Sequence, residues 1–358
     1  MSQTTSVAQF EVKYYRYLDP AGKVEQTLPD FAQNTTHLQK LYKMMLKTRV
    51  FDTKAITLQR TGKLGTYPST LGQEAIAVGI GAAMHADDVL CPYYREYGAQ
   101  FWRGVTMENI LLYWGGDEQG SNFEGFAKKD FPICVPIASQ TLHGVGVASA
   151  LQYKKTKNAV VTTVGDGGTS RGDFYEAMNV AGIWNLPIVF VINNNQWAIS
   201  VPRSQQTKAQ TLAQKGIAAG LSCVQIDGND VIAVQDSLQT ALTQARSGKG
   251  ATVIEALTYR MCDHTTADDA SRYRPPQDLE ANKKIDPILR LKNYMMEQNS
   301  WNEDDEKSYM EQTVKEVNDA VERYLAVPIN KPHTMFDYLY AELPRAFQEQ
   351  YDELKARV

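Results

Sequence analysis

The chain has few of the features that mark membrane, nucleic-acid or disulfide-stapled proteins. It holds four cysteines in 358 residues, at positions 91, 134, 223 and 262, with no CxxC pair. Scattered in this way, Cys91, Cys134, Cys223 and Cys262 read as reduced buried thiols rather than a disulfide framework. No apolar run approaches the roughly eighteen residues that a membrane span needs. The net charge of −4 argues against nucleic acid as the main partner. The first residues, MSQTTSVAQFEVKYYRY, lack a basic stretch followed by an apolar one and lack an Arg-rich transit pattern. The expected location is therefore cytoplasmic. Histidine is scarce at five residues, and His37, His85, His143 and His333 have no matched partners, so they read as structural. What remains is an ordinary globular mixture, 43% hydrophobic and 22% charged, long enough for a large α/β domain.

The chain is organised around Val160 to Val201. Val160 to Val164 is a β-branched run that reads as a buried strand. The turn Gly165-Asp166-Gly167-Gly168 follows. Phe174, Ala177, Met178 and Ala181 then trace one apolar helix face, with Asp173 placed as its N-cap. Ile188 to Ile192 is a second buried strand, closed by Asn193, Asn194 and Asn195. This is a βαβ unit and implies a parallel sheet flanked by helices.

The turn carries the chemistry. A glycine-rich turn running into a helix presents free backbone N–H groups, an anion site. Asp166 sits inside it, and a carboxylate beside a diphosphate is repulsive unless a divalent cation lies between them. Asn195, at the end of the neighbouring strand, opens on the same sheet edge and can complete the coordination. The combination points to a metal-bridged diphosphate.

Elsewhere, residues 1–35 read as an extended arm and residues 36–358 as one α/β domain. Helices are expected over Thr36 to Gln59, Gln73 to Met84, Thr141 to Tyr153, Thr207 to Gly220 and from Val231 to about Gly248, with strands at Asp87 to Cys91, Val224 to Ile226 and Ala251 to Leu257. One or two charged helices are expected over 285–325, and a solvated helical tail beyond Pro344. The small-residue helices at Gly79 to Ala83 and Gly144 to Ser149 suit close packing, either within the subunit or between subunits. Tyr94-Arg95 follows a strand, where a guanidinium fork and a hydroxyl suit a phosphate; a structural arginine paired with Glu96 is the equal alternative. The polar stretch from Thr258 to Asp269 follows a strand as active-site loops do.

The GDG turn followed by NN at the next strand end resembles the thiamine diphosphate motif. GDGGTSRGDFYEAMNVAG and NNNQWAIS closely resemble the α subunit of the heterotetrameric 2-oxo acid dehydrogenase E1 component, above all the bacterial pyruvate dehydrogenase α subunits, over about Leu38 to Pro344. The resemblance implies a thiamine diphosphate-binding fold with Mg²⁺ held by Asp166, Asn195 and the Trp197 carbonyl. It implies Tyr94, Arg95, Arg260, Gly167 and Gly168 around the diphosphate, Ile137 supporting the cofactor between its rings, and His264 facing the reacting substrate. Met261-Cys262-Asp263 depart from the family pattern. The implied reaction is oxidative decarboxylation of pyruvate with acyl transfer to a lipoyl group on an E2 acyltransferase; a branched-chain 2-oxo acid and acetoin are alternative substrates. The family's activating glutamate comes from a separate β chain, so an α₂β₂ heterotetramer is implied; Tyr67, Pro68 and Gly72 to Glu74 are expected near that interface, with a structural role the favoured reading for Glu74. A non-catalytic nucleotide- or metal-binding protein is the reading from another class.

Overall fold

The computed structural model describes residues 4–337 and 339–357. In chain order its elements are β1 (Lys13–Tyr15), α1 (Thr35–Arg60), α2 (Glu74–Ala83), β2 (Val89–Cys91), α3 (Tyr97–Trp102), α4 (Met107–Gly115), α5 (Ser139–Tyr153), β3 (Val160–Gly165), α6 (Gly172–Ile183), β4 (Ile188–Asn194), β5 (Trp197–Ala198), β6 (Val201–Pro202), α7 (Arg203–Gln206), β7 (Ser222–Asp227), α8 (Val231–Arg246), β8 (Thr252–Leu257), α9 (Pro276–Lys283), α10 (Pro287–Glu297), α11 (Glu303–Leu325) and α12 (Arg345–Ala356). A six-stranded sheet in the order β1-β7-β8-β4-β3-β2 is parallel at every pairing.

Strand β4 shows why the sheet forms. All its residues are buried. Ile188, Phe190 and Ile192 join the core shared with Val145 and Ala148 of α5 and Phe174, Ala177 and Met178 of α6. Val189 and Val191 join the opposite core, with Ile76 and Ile80 of α2 and Val234 and Leu238 of α8. Both faces are covered, so the strand reads as a continuous apolar run. Each such side chain contributes roughly 2 kcal/mol on burial. A further core gathers α1 with α10, and another gathers α1 with α4 and α11. No helix among the described residues is long and apolar enough to cross a membrane.

Several expectations need correction. Helix α6 starts at Gly172 with Arg171 as its N-cap, and no side chain caps it. Asp173 lies inside the first turn, because the 3₁₀ turn over Asp166–Ser170 delivers the chain almost directly into the helix. Its charge still favours that end of the helix dipole. The stretch 207–220 is not an α-helix but a bend followed by a 3₁₀ turn, Ala213–Ala219. The buried Glu255 carboxylate takes the N–H groups of Leu212 and Ala213 at 2.8 and 3.0 Å. Gly216 also lies so close to β8 that a Cβ there would sit 2.6 Å from Val253.

The small-residue helix α2 packs within the subunit: a Cβ on Gly79 would meet Val234 at 2.5 Å, and one on Gly81 would meet Trp102 at 2.6 Å. In α5, Gly144 faces Thr162 and Ile188 of the sheet, while nothing lies within 4 Å of Gly146. The N-terminal segment supplies the edge strand β1, and the Asp230 carboxylate anchors it through the N–H groups of Tyr17 and Leu18 at 2.7 and 2.8 Å. Tyr67, Pro68 and Gly72 to Glu74 are all buried within the chain. Glu74 is structural, paired with Arg49 at 2.8 Å.

Candidate active site

Parallel strands all end on the same edge, and there the segments after β2, β3, β4 and β8 converge. They form one cleft of about 210 Å³, lined by Tyr94, Arg95, Ile137, Asp166, Gly167, Gly168, Asn195, Trp197 and His264 together with Cys134, Ala138, Ala198 and Ile199. Nine of the residues singled out in sequence therefore share one cavity. Arg260 is the exception: it is fully buried and stands behind His264 rather than on the wall.

The glycines of the turn are a steric requirement. A Cβ on Gly167 would lie 2.5 Å from Ala198, and one on Gly168 would lie 2.4 Å from Val164. Within the turn, Thr169 Oγ1 donates to the Asp166 carbonyl at 2.7 Å. Lys215 Nζ donates to both the Thr169 carbonyl and Oγ1 at 2.9 Å. The Asp166 side chain is 1% exposed, and burial raises its pKa, opposed by a hydrogen bond from Gln206. Gln206 Nε2 donates to Asp166 Oδ2 at 2.7 Å, and no Lys or Arg pairs with this carboxylate among the described residues.

The neighbouring strand end is equally fixed. Asn195 Nδ2 donates to Gln73 Oε1 at 3.0 Å, and its Oδ1 accepts the Trp197 N–H at 3.2 Å. The chain then passes through Gln196 and Ile199 at φ 73° and 53°. Positive φ is uncommon for a β-branched residue and concentrates at functional sites. Ala138, at the start of α5 beside Ile137, adopts φ 68°.

Two guanidiniums hold the far side, Arg95 on the wall of the cleft and Arg260 behind it. Arg95 is 1% exposed. It donates from Nη1 to the Ser69 carbonyl and from Nη2 to the His264 carbonyl at 2.6 Å. It does not pair with Glu96, whose buried carboxyl oxygens have no hydrogen-bond partner and whose pKa burial pushes up to about 7. Arg260 donates from Nη2 to the Ile199 carbonyl at 2.9 Å and to Tyr273 at 2.6 Å, leaving Nη1 weakly engaged with the Trp197 carbonyl at 3.5 Å. Neither arginine meets a carboxylate among the described residues. His264 Nδ1 lies 3.2 Å from Arg95 Nη2 and 3.5 Å from Arg260 Nη1. Guanidiniums can only donate, so Nδ1 accepts and the ring proton sits on Nε2. Burial, then Arg95 and Arg260, lower the His264 pKa to about 3. Its loop is tied down through Asp268, which accepts the His264 N–H at 2.8 Å and the Tyr273 hydroxyl at 2.5 Å.

Gln206, which orients Asp166, carries no signal in the sequence; Gln73, expected within the run Gly72 to Glu74 near the β interface, orients Asn195. Their positions follow from how α7 and α2 fold back on the cleft, and no spacing rule marks them.

The profile of the Dehydrogenase E1 component family matches residues 42–333. The pyruvate dehydrogenase E1 component subunit alpha of Acholeplasma laidlawii is 40% identical over 341 residues, covering 94% of this chain and 98% of that protein. The subunit of the same name from Mycoplasma genitalium is 38% identical, covering 94% of each. The 3-methyl-2-oxobutanoate dehydrogenase subunit alpha of Mycobacterium tuberculosis is 39% identical, covering 90% of this chain and 87% of that protein. A parallel sheet ending in a glycine-cradled cleft and a profile match across most of the sequence agree: this chain belongs to the dehydrogenase E1 component family.

Proposed function

We propose that this chain is the α subunit of a 2-oxo acid dehydrogenase E1 component, using thiamine diphosphate and Mg²⁺ to decarboxylate pyruvate oxidatively and pass the acyl group to a lipoylated E2 acyltransferase. One observation carries the reading. A buried acid without a cation, Asp166, and a buried guanidinium without a carboxylate, Arg95, line the same glycine-cradled cleft, with the second such guanidinium, Arg260, behind His264. Unpaired buried charge is costly. A diphosphate bridged by a divalent cation neutralises both sets together.

Each residue then has a task. Asp166, Asn195 and the Trp197 carbonyl hold Mg²⁺. The Gly167 and Gly168 backbone, Tyr94, Arg95 and the weakly engaged Nη1 of Arg260 would receive phosphate oxygens. Ile137 supports the cofactor between its rings, and with Ala138, Val164, Ala198 and Ile199 it forms an apolar wall that excludes water. The bound cofactor supplies the electron sink for loss of carbon dioxide. His264, neutral at working pH, would offer Nε2–H as a hydrogen bond to the substrate oxygen. Ile137 and Ile199 are 45% and 56% exposed, apolar surface for a β subunit to cover as it completes an α₂β₂ heterotetramer.

Two relatives carry the pyruvate name and one, at similar identity, the 3-methyl-2-oxobutanoate name, so the second substrate belongs in the test. Calorimetry on the chain with its β subunit should show Mg²⁺-dependent binding of thiamine diphosphate and none of ADP. Asp166→Ala should abolish that binding while the fold persists. Turnover should require both subunits and favour pyruvate over 3-methyl-2-oxobutanoate and acetoin. Unchanged cofactor affinity in Asp166→Ala sinks the metal assignment; binding of ADP in place of thiamine diphosphate sinks the enzyme.

A further inference from the structure

The cleft is fixed from behind by a carboxylate that does not line it. Asp52, midway along α1, is 1% exposed. Three donors from one short segment converge on it: Tyr67 Oη at 2.9 Å and the Thr70 N–H at 2.8 Å on Oδ1, and Ser69 Oγ at 2.5 Å on Oδ2. It has no Lys or Arg partner among the described residues, and desolvation pushes its pKa up to about 6. If stability alone were at issue, apolar side chains filling the same space would avoid the cost of burying a carboxylate.

The segment that Asp52 gathers does a second job. The Ser69 carbonyl accepts from Arg95 Nη1, and Thr70 Oγ1 donates to the Arg95 carbonyl at 3.1 Å, so Arg95 is held at both its guanidinium and its backbone. The Thr266 N–H donates to the Tyr67 carbonyl at 2.9 Å, and the Tyr67 N–H donates to Thr266 Oγ1 at 3.0 Å. These two bonds lash the His264 loop to the same segment. Cys262 Sγ, in that loop, points at the Ser69 carbonyl from 3.8 Å. Arg95 and the His264 loop, 169 residues apart in sequence, both rest on residues 67–70.

We propose that Asp52 is a positioning residue of the cofactor site: by clamping Tyr67, Ser69 and Thr70 it sets the Arg95 guanidinium and the His264 loop for the diphosphate. The proposal rests on the function proposed above. Asp52→Asn keeps the volume and one acceptor oxygen but turns an NH₂ toward one of the three donors. In the chain assembled with its β subunit, this substitution should weaken thiamine diphosphate binding about 5- to 20-fold, raise the KM for the cofactor more than it lowers kcat at saturation, and shift the melting temperature by only a few degrees. In an Arg95→Gln background the same substitution should change affinity less than twofold, because its effect runs through Arg95.

Hydrogen–deuterium exchange supplies a readout without cofactor: residues 262–268 should exchange faster in Asp52→Asn while α8 is unchanged. An unaltered affinity and unaltered exchange, or an effect that adds fully to that of Arg95→Gln, overturns the proposal. If the wild-type assembly fails to bind thiamine diphosphate, the functional reading falls, and the exchange experiment alone decides whether Asp52 governs the loop. Should Asp52→Asn not assemble, Tyr67→Phe removes one of the three bonds and should give the same pattern at two- to fourfold amplitude; no change there also overturns the proposal.

Discussion

His264 shows how much one position depends on its neighbours. Its pKa of about 3, set by burial and then by Arg95 and Arg260, lies below the usual histidine value near 6.5. The unfolded chain therefore takes up a proton before the folded one does. The stability linked to this histidine is full above about pH 6.5 and declines as pH falls toward 3. His264→Gln should flatten that part of the acid limb of a melting-temperature profile. A diphosphate engaging both arginines should raise the His264 pKa, because it cancels the charges that hold the pKa down. Ring resonances of ¹³C-labelled histidine, titrated with and without thiamine diphosphate and Mg²⁺, check this; an unmoved pKa argues against phosphate contact by Arg95 and Arg260. His264 and Arg95 were both legible from the sequence through family resemblance. Asp52 and Gln206 were not, because their hydrogen bonds, to residues 17 and 40 positions away, are made by the fold and follow no local spacing.

At the scale of elements, the β3–turn–α6–β4 unit was legible almost to the residue, because its continuous apolar strands and its helical stripe follow directly from apolar spacing. The stretch 207–220 was not legible, since a buried carboxylate from another strand decides its conformation. The cleft-forming turn makes a paired prediction. Gly168→Ala would put a Cβ 2.4 Å from Val164 Cγ2, a strand side chain that cannot swing aside, so the turn must shift. Overpacking of this kind costs about 1–3 kcal/mol, and the displaced N–H groups should lower cofactor affinity at least tenfold. Gly172→Ala, one helix start further on, meets nothing within 4 Å. It should leave affinity unchanged and stabilise the fold by up to about 1 kcal/mol. Calorimetric titration and melting of the two variants side by side distinguish a cradle from an ordinary loop.

For the whole molecule, the parallel architecture was legible, but its outer border was not. Lys13–Tyr15, all exposed, carry no strand-like alternation of buried and exposed positions, yet they cover the open side of β7 with Lys13 opposite Val224. Removing residues 1–16 should expose that strand's hydrogen-bonding groups, an aggregation template. The shortened chain should lose soluble yield and melt lower, both measurable beside the full-length protein. The same pairing sets a timetable for biosynthesis. Once synthesised, β1 waits for its neighbour β7, about 210 residues downstream, which at 5–20 residues per second takes roughly 10–40 s. Throughout that interval the nascent segment lacks its strand partner, so chaperones and proteases can meet it before its own fold does.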